Sequence, residues 1–171
     1  MAINNKREVW QRGPVEGIPA LLQPVAHALL QADEEVYTIM AGFPQEKIWE
    51  KVAGVASPGF HLLHLTGVLD RLFTYAREAS LDDRQLEALA KEGNSSGDTT
   101  VENLLTDFSK QVKKALNQLS ETEENTLTQV RFVGRARIPS TTIGLLFHAA
   151  EHTMRHVGQL LVTVNFLKQM R

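Results

Sequence analysis

The chain has 171 residues, 43% of them hydrophobic and 22% charged, enough for one domain, taken as 1–171, with a sizeable core. A formal net charge of −2 gives no basic footprint for nucleic acid or an anionic membrane, so neither is expected as a partner. With no cysteine there is no disulfide, no thiolate metal site and no cysteine nucleophile. No signal-like or transmembrane-length apolar run is present, which leads to the expectation of a soluble, cytoplasmic protein.

Residues 1–16 are polar and read as an extended lead-in. From Gly17, Ile18, Leu21, Leu22, Val25, Leu29, Ala32, Val36, Ile39 and Met40 recur at spacings of three and four, predicting a helix that ends near Gly42-Phe43-Pro44. Pro19 suits its first turn, Pro24 is expected to bend it, and His27, lacking a neighbouring ligand, reads as structural. Gln45 to Ala56 is a connection with one possible turn. Ser57 as cap and Pro58 at the first helical position open a second helix to about Ala79. Its stripe carries His61, His64, Leu65, Val68, Leu72 and Tyr75, whereas Asp70, Arg71 and Arg77 read as solvated.

Asp82-Asp83-Arg84 opens a short helix to about Lys91, and Gly93-Asn94-Ser95-Ser96-Gly97 reads as a loop. A third long helix is predicted from Asp98 or Thr99 to about Leu119, with Thr99 and Glu102 as a capping box. Thr126 to Ile138 alternates weakly and is either a short strand or an extended loop, whose Arg131, Arg135 and Arg137 read as solvated in preference to anion-binding. The last helix starts at Pro139-Ser140 and runs nearly to Arg171. The sum is an all-α four-helix bundle with one short extra helix and a long connection before the last.

The chemistry concentrates in that last helix. His148, His152 and His156 follow one another at four-residue intervals, so each lies about 40° round and about 6 Å along from the one before. Neighbours on this stripe can share an ion through metal–nitrogen bonds of about 2.0–2.1 Å, but His148 and His156, roughly 12 Å apart, cannot. Two of the three therefore need a third ligand from elsewhere, and His61 or His64 on the second helix offers it. Three neutral imidazoles with an open position describe a catalytic metal site. The competing reading, histidines hydrogen-bonded within the core or at its rim, stands at even weight on spacing alone.

Two other motifs use the same residues. His148-Ala149-Ala150-Glu151-His152 spells the H-x-x-E-H zinc-protease signature, but the residues after His152 contain no Asp or Glu to complete such a site. A di-iron carboxylate site needs Glu-x-x-His pairs, and none occurs. No phosphate-binding glycine loop is present, and Gly93 to Gly97, although it spells G-x-S-x-G, reads as a loop between helices with no strand before it to make a nucleophile elbow.

Glu151-His152-Thr153-Met154-Arg155-His156-Val157-Gly158-Gln159 resembles the H-x-x-x-H-x-G-Q signature in the last helix of the DinB/YfiT-like superfamily. Phe60 to Leu72 resembles that family's second-helix segment. The resemblance implies a four-helix bundle, often dimeric, with a divalent metal on three histidines. It implies His152 and His156 as the last-helix pair and His64, with His61 as fallback, as the third ligand. His61 and His148, one turn before these ligands, are then hydrogen-bond partners of the ligands or proton shuttles, or simply buried histidines bonded to backbone carbonyls. Gln159 reads as an amide that packs the helix or bonds to a ligand, in preference to a ligand itself, and Glu151 as an exposed residue in preference to one that orients a histidine.

Some members of the family resemble transferases joining a low-molecular-weight thiol to an electrophile. The resemblance thus implies a metal-dependent thiol transferase or hydrolase acting on a small molecule, with a thiol as co-substrate in the first case. Imidazole ligands suit zinc or nickel first, with iron or copper as alternatives. The contrasting expectation is a non-enzymatic dimeric bundle that binds a metal or ligand.

Overall fold

The computed structural model describes residues 7–93 and 99–170. Its elements, in chain order, are α1 (Gln23–Met40), α2 (Pro58–Ala76), α3 (Asp83–Lys91), α4 (Val101–Glu121), a hairpin of β1 (Val130–Val133) and β2 (Ile138–Thr141), and α5 (Thr142–Gln169). Short 3-10 turns at Val9–Arg12, Ala20–Leu22, Gln45–Lys47 and Glu124–Thr126 join them.

The long helices form because each carries an apolar stripe at helical spacing, and they stop where caps intervene. Ser57 caps α2 by accepting from the Phe60 amide, and Thr100 and Thr141 do the same for α4 and α5 through Asn103 and Gly144. α1 and α2 each pack against both α4 and α5, so α1 stands diagonally from α2 in the bundle. Leu29, Leu62, Leu69, Phe73, Phe108, Leu119, Leu146 and Leu160, all essentially inaccessible, fill one continuous core. Hence α2 and α5 are neighbours along their length, and side chains on their facing stripes meet.

Several boundaries and environments differ from the sequence reading. The first helix begins at Gln23, not Gly17, and Pro24 lies in its opening turn, where a missing N–H costs nothing, so it starts the helix instead of bending it. The lead-in from residue 7 is pinned: Val9 is buried with its amide on Gln31, and Arg12 bridges to Glu34 at 2.6 Å. α2 ends at Ala76. Thr100, one residue beyond the expected Thr99, caps α4, because its hydroxyl is the one that reaches an orphan amide. Residues 94–98, where a loop and the alternative Asp98 start were expected, lie outside the described residues.

The long connection to the last helix is a true hairpin, with Val130 opposite Thr141 and Val133 opposite Ile138. Pro139 and Ser140 belong to β2, and α5 starts only at Thr142. Arg131 is not solvated. It is 8% exposed, its guanidinium donating to the carbonyls of Ala76 and Val130 and to Gln129, each at 3.0 Å. Arg137 instead folds over the Phe132 ring at 4.1 Å, and Arg135 is exposed.

Candidate metal centre

The start of α2 is held firmly before its histidines appear. Ser57 caps it, the Gly59 amide donates to the Ile48 carbonyl at 2.7 Å, and the Trp49 ring lies so close to Gly59 that a Cβ there would sit 2.6 Å from it. The next turn then points His61 and His64 toward α5. Opposite them, His152 and His156 lie one turn apart, with the buried Thr153 and Val157 on the same inward side.

The rings form a compact cluster. His64 and His152 face each other Nε2 to Nε2 at 2.9 Å, and the His156 ring centroid lies 4.5 Å from that of His64 and 4.6 Å from that of His152. One ligand nitrogen from each of His64, His152 and His156 falls within 4.8 Å of the other two. A metal with bonds of about 2.0–2.1 Å holds two nitrogens about 2.9 Å apart at a right angle and about 3.3 Å apart at the tetrahedral angle. The donor set therefore fits a mononuclear divalent ion: the three histidines are positioned to bind one.

His61 lies outside this triangle. It is buried, at 3% exposure, and its Nδ1 sits 3.0 Å from Nδ1 of His156, so one of the two rings donates to the other. His148 is at the solvent rim, its ring 5.3 Å from that of His152 and its Nδ1 2.6 Å from Glu151. Glu151 is also held by Arg155 at 2.5 Å, which occupies the carboxylate the H-x-x-E-H reading would need as a base. Ligand atoms of His148, Glu151 and His152 also lie within 4.8 Å of one another, toward the solvent side of the cluster. His27 touches the Gly13 carbonyl at 3.1 Å, away from the cluster.

Three of the rings, His61, His152 and His156, are held toward the neutral form. Burial, reinforced by the neighbouring histidines, pushes His61 and His156 down to about 4. His152 is also lowered, first by burial and then by His64, His148 and Arg155, with Glu151 opposing. Neutral imidazoles are the form that ligates. Nδ1 of His152 is buried with no hydrogen-bond partner among the described residues.

Sequence reasoning missed two contributors. Phe60 stacks on His64 at 5.3 Å, nearly parallel, and meets His61 edge-on, screening both rings. Glu92, just beyond α3, accepts from Nδ1 of His64 at 2.8 Å and from Arg71 at 2.5 Å. Burial raises the Glu92 carboxyl, but the hydrogen bonds from His64 and Arg71 and their charge outweigh it and hold the group below its ordinary range. Arg71 and Asp70, expected in solvent, are thus engaged: Arg71 with Glu92, and Asp70 with Gln85, Gln111 and Lys114. Both lie off the apolar stripe of α2, on the side that α3 and α4 cover.

With this geometry in view, comparisons with known proteins identify the lineage. A crystal structure of a structural genomics target protein from Streptococcus pneumoniae shares the fold, with a TM-score of 0.61 over 85% of this chain and 88% of that one at 10% sequence identity. No curated protein matches the sequence. No helix of the described residues is long and apolar enough to cross a membrane. The family model described as DinB superfamily matches residues 20–160, which span α1 to α4, the greater part of α5 and all five clustered histidines, and the chain belongs to that superfamily.

Proposed function

We propose that this protein is a metal-dependent enzyme in which His64, His152 and His156 hold one divalent ion and a thiol or water is turned on a small electrophile. The observation that carries the reading is the convergence of three ligand nitrogens, from two separate helices, within 4.8 Å. Membership of the DinB superfamily supports it. When bound, a divalent ion on three neutral imidazoles leaves a position open and lowers the pKa of a thiol or water placed there.

The chain's own residues do the rest. His61 holds His156 by its Nδ1 and Glu92 holds His64 by its Nδ1, so two of the ligands meet a fixed partner. Phe60 keeps bulk water from the α2 side. His148, half exposed and one turn from His152, is placed to carry protons between the cluster and solvent. Zinc or nickel is the ion we expect, with iron or copper as alternatives. The reading includes a cytoplasmic homodimer acting on a small molecule, with a low-molecular-weight thiol as co-substrate if the reaction is a transfer.

The test is metal analysis of the purified protein beside a His152→Ala, His156→Ala double variant, followed by turnover of a panel of small electrophiles with and without thiols. One equivalent in the wild type and none in the variant is expected. Equal uptake by both would end the proposal. A second reading, a dimeric bundle that binds metal or ligand without turnover, draws support from Phe147, Leu161, Val162 and Phe166, apolar side chains that α5 leaves exposed. It predicts no thiol-dependent or hydrolytic turnover on any member of the panel.

A further inference from the structure

The short helix α3 presents a problem of its own. It is strongly amphipathic in sequence, yet none of its residues is buried, and Leu86 and Leu89 remain 42% and 43% exposed. What joins it to α2 is polar. Gln85 reaches Thr74 and Asp70, and Glu92, just past its C-terminal end, reaches His64 and Arg71.

The Glu92 contact is built into α2 itself. His64, Gly67 and Arg71 follow at intervals of three and four, so they share one face of the helix. Glycine is unfavourable inside a helix, and Gly67 sits mid-way along α2. A Cβ at that position would stand 2.4 Å from Glu92 Oε1 and 2.7 Å from Arg71 Nη1. The glycine therefore opens the space that the carboxylate fills. The Glu92 side chain is 10% exposed there, that of Arg71 11% and that of His64 18%.

We propose that Glu92 is the positioning residue for His64, seated in a cradle made by Gly67 and balanced by Arg71, with α3 as the arm that delivers it. The carboxylate accepts the Nδ1 proton of His64, which fixes the tautomer and turns the Nε2 lone pair toward His152. Such a partner raises the ligand's basicity and removes its freedom to rotate. Arg71 holds the second carboxylate oxygen, so Glu92 cannot swing away from the ring. This rests on the metal-binding reading above, and deepens it by naming a determinant of affinity 28 residues distant in sequence from the ligand it serves.

The experiment compares the zinc affinity of the full chain, by competition with a chromophoric chelator, and the visible spectrum of its cobalt(II) form, in the wild type, E92Q, E92A, G67A and the double variant E92A/G67A. E92A should bind zinc about 10–100-fold more weakly. E92Q should recover part of that loss, because its carbonyl oxygen still accepts from Nδ1. Gly67→Ala should reproduce the E92A loss by displacing the carboxylate while leaving α2 a better helix former, and the double variant should lose no more than either single one. The cobalt bands of E92A should shift, which a remote structural effect would not produce. Zinc affinity within about twofold of wild type in both E92A and E92Q, with superimposable cobalt spectra, overturns the assignment while leaving the three-histidine site standing. A wild type that takes up no zinc or cobalt overturns the site and this assignment together.

Discussion

The two ends of α2 both admit basic side chains into the bundle, and they treat them in opposite ways. At the C-terminal end Arg131 enters from the hairpin, and three acceptors meet it: the carbonyls of Ala76 and Val130, and Gln129. Its charge faces the carbonyl end of a helix, where a cation is favoured. At the N-terminal half His61 and His64 meet His152 and His156, nitrogen against nitrogen, with His152 Nδ1 left unpartnered among the described residues. The first cluster is complete as protein; the second leaves a buried ring nitrogen without a partner among the described residues. A buried polar group that the chain satisfies by itself reads as architecture, whereas one it leaves wanting a cation reads as a site.

The contrast breaks most sharply with the ligands. Replacing His152 and His156 by alanine should weaken zinc binding by about 1000-fold or more, yet leave the metal-free protein folded, since both side chains are only half-buried and lie outside the apolar core. Isothermal titration beside a chelator-treated thermal melt checks both halves; a variant that still binds, or that fails to fold without metal while the wild type folds, would erase the distinction.

Arg131→Met is the opposite case. It leaves buried carbonyls without a donor and should cost about 2–4 kcal/mol of stability, with zinc affinity of the folded fraction unchanged. Urea denaturation measures the first and competition titration the second. Coupling of the two would mean the ends are not independent.

A smaller effect is expected from pH. His61 and His156 are held near 4 when folded, below their ordinary value of 6.5, so between those limits the unfolded chain binds more protons than the folded one. Stability of the metal-free protein should thus rise with pH across that window, and fall as pH drops from 6.5 toward 4 by on the order of 2–3 kcal/mol for the buried His61, with a smaller, solvent-screened share from the half-buried His156. His61→Leu should flatten the slope. A wild-type profile already flat over this window would show that the rings are not buried as neutral groups. The smallest effect belongs to His148→Ala, which removes only a rim imidazole and should change zinc affinity by no more than about threefold; a loss as large as that of His152→Ala would make it a ligand.

How much of this was legible along the chain depends on distance in sequence. His152 and His156 announce their closeness by the four-residue step, and His61 with His64 by the three-residue step, because a helix converts spacing directly into geometry. Glu92 carries no such mark. It follows a short exposed helix, and only the odd placement of Gly67 between His64 and Arg71 hints that something lies over that face. Arg131 was hidden for a similar reason: alternation places it on one side of a strand, but cannot say that the side is closed by the end of α2.

The sequence alone determined the helices, the opening caps of α2 and α3, that of α4 within a residue, and the histidine stripes, since each depends on contacts between residues a few positions apart. Only the tertiary structure decided which helices are neighbours, and so which stripes meet. That choice follows from packing the core of the whole chain, and it turns two rows of imidazoles into one cluster and sets Glu92 against His64.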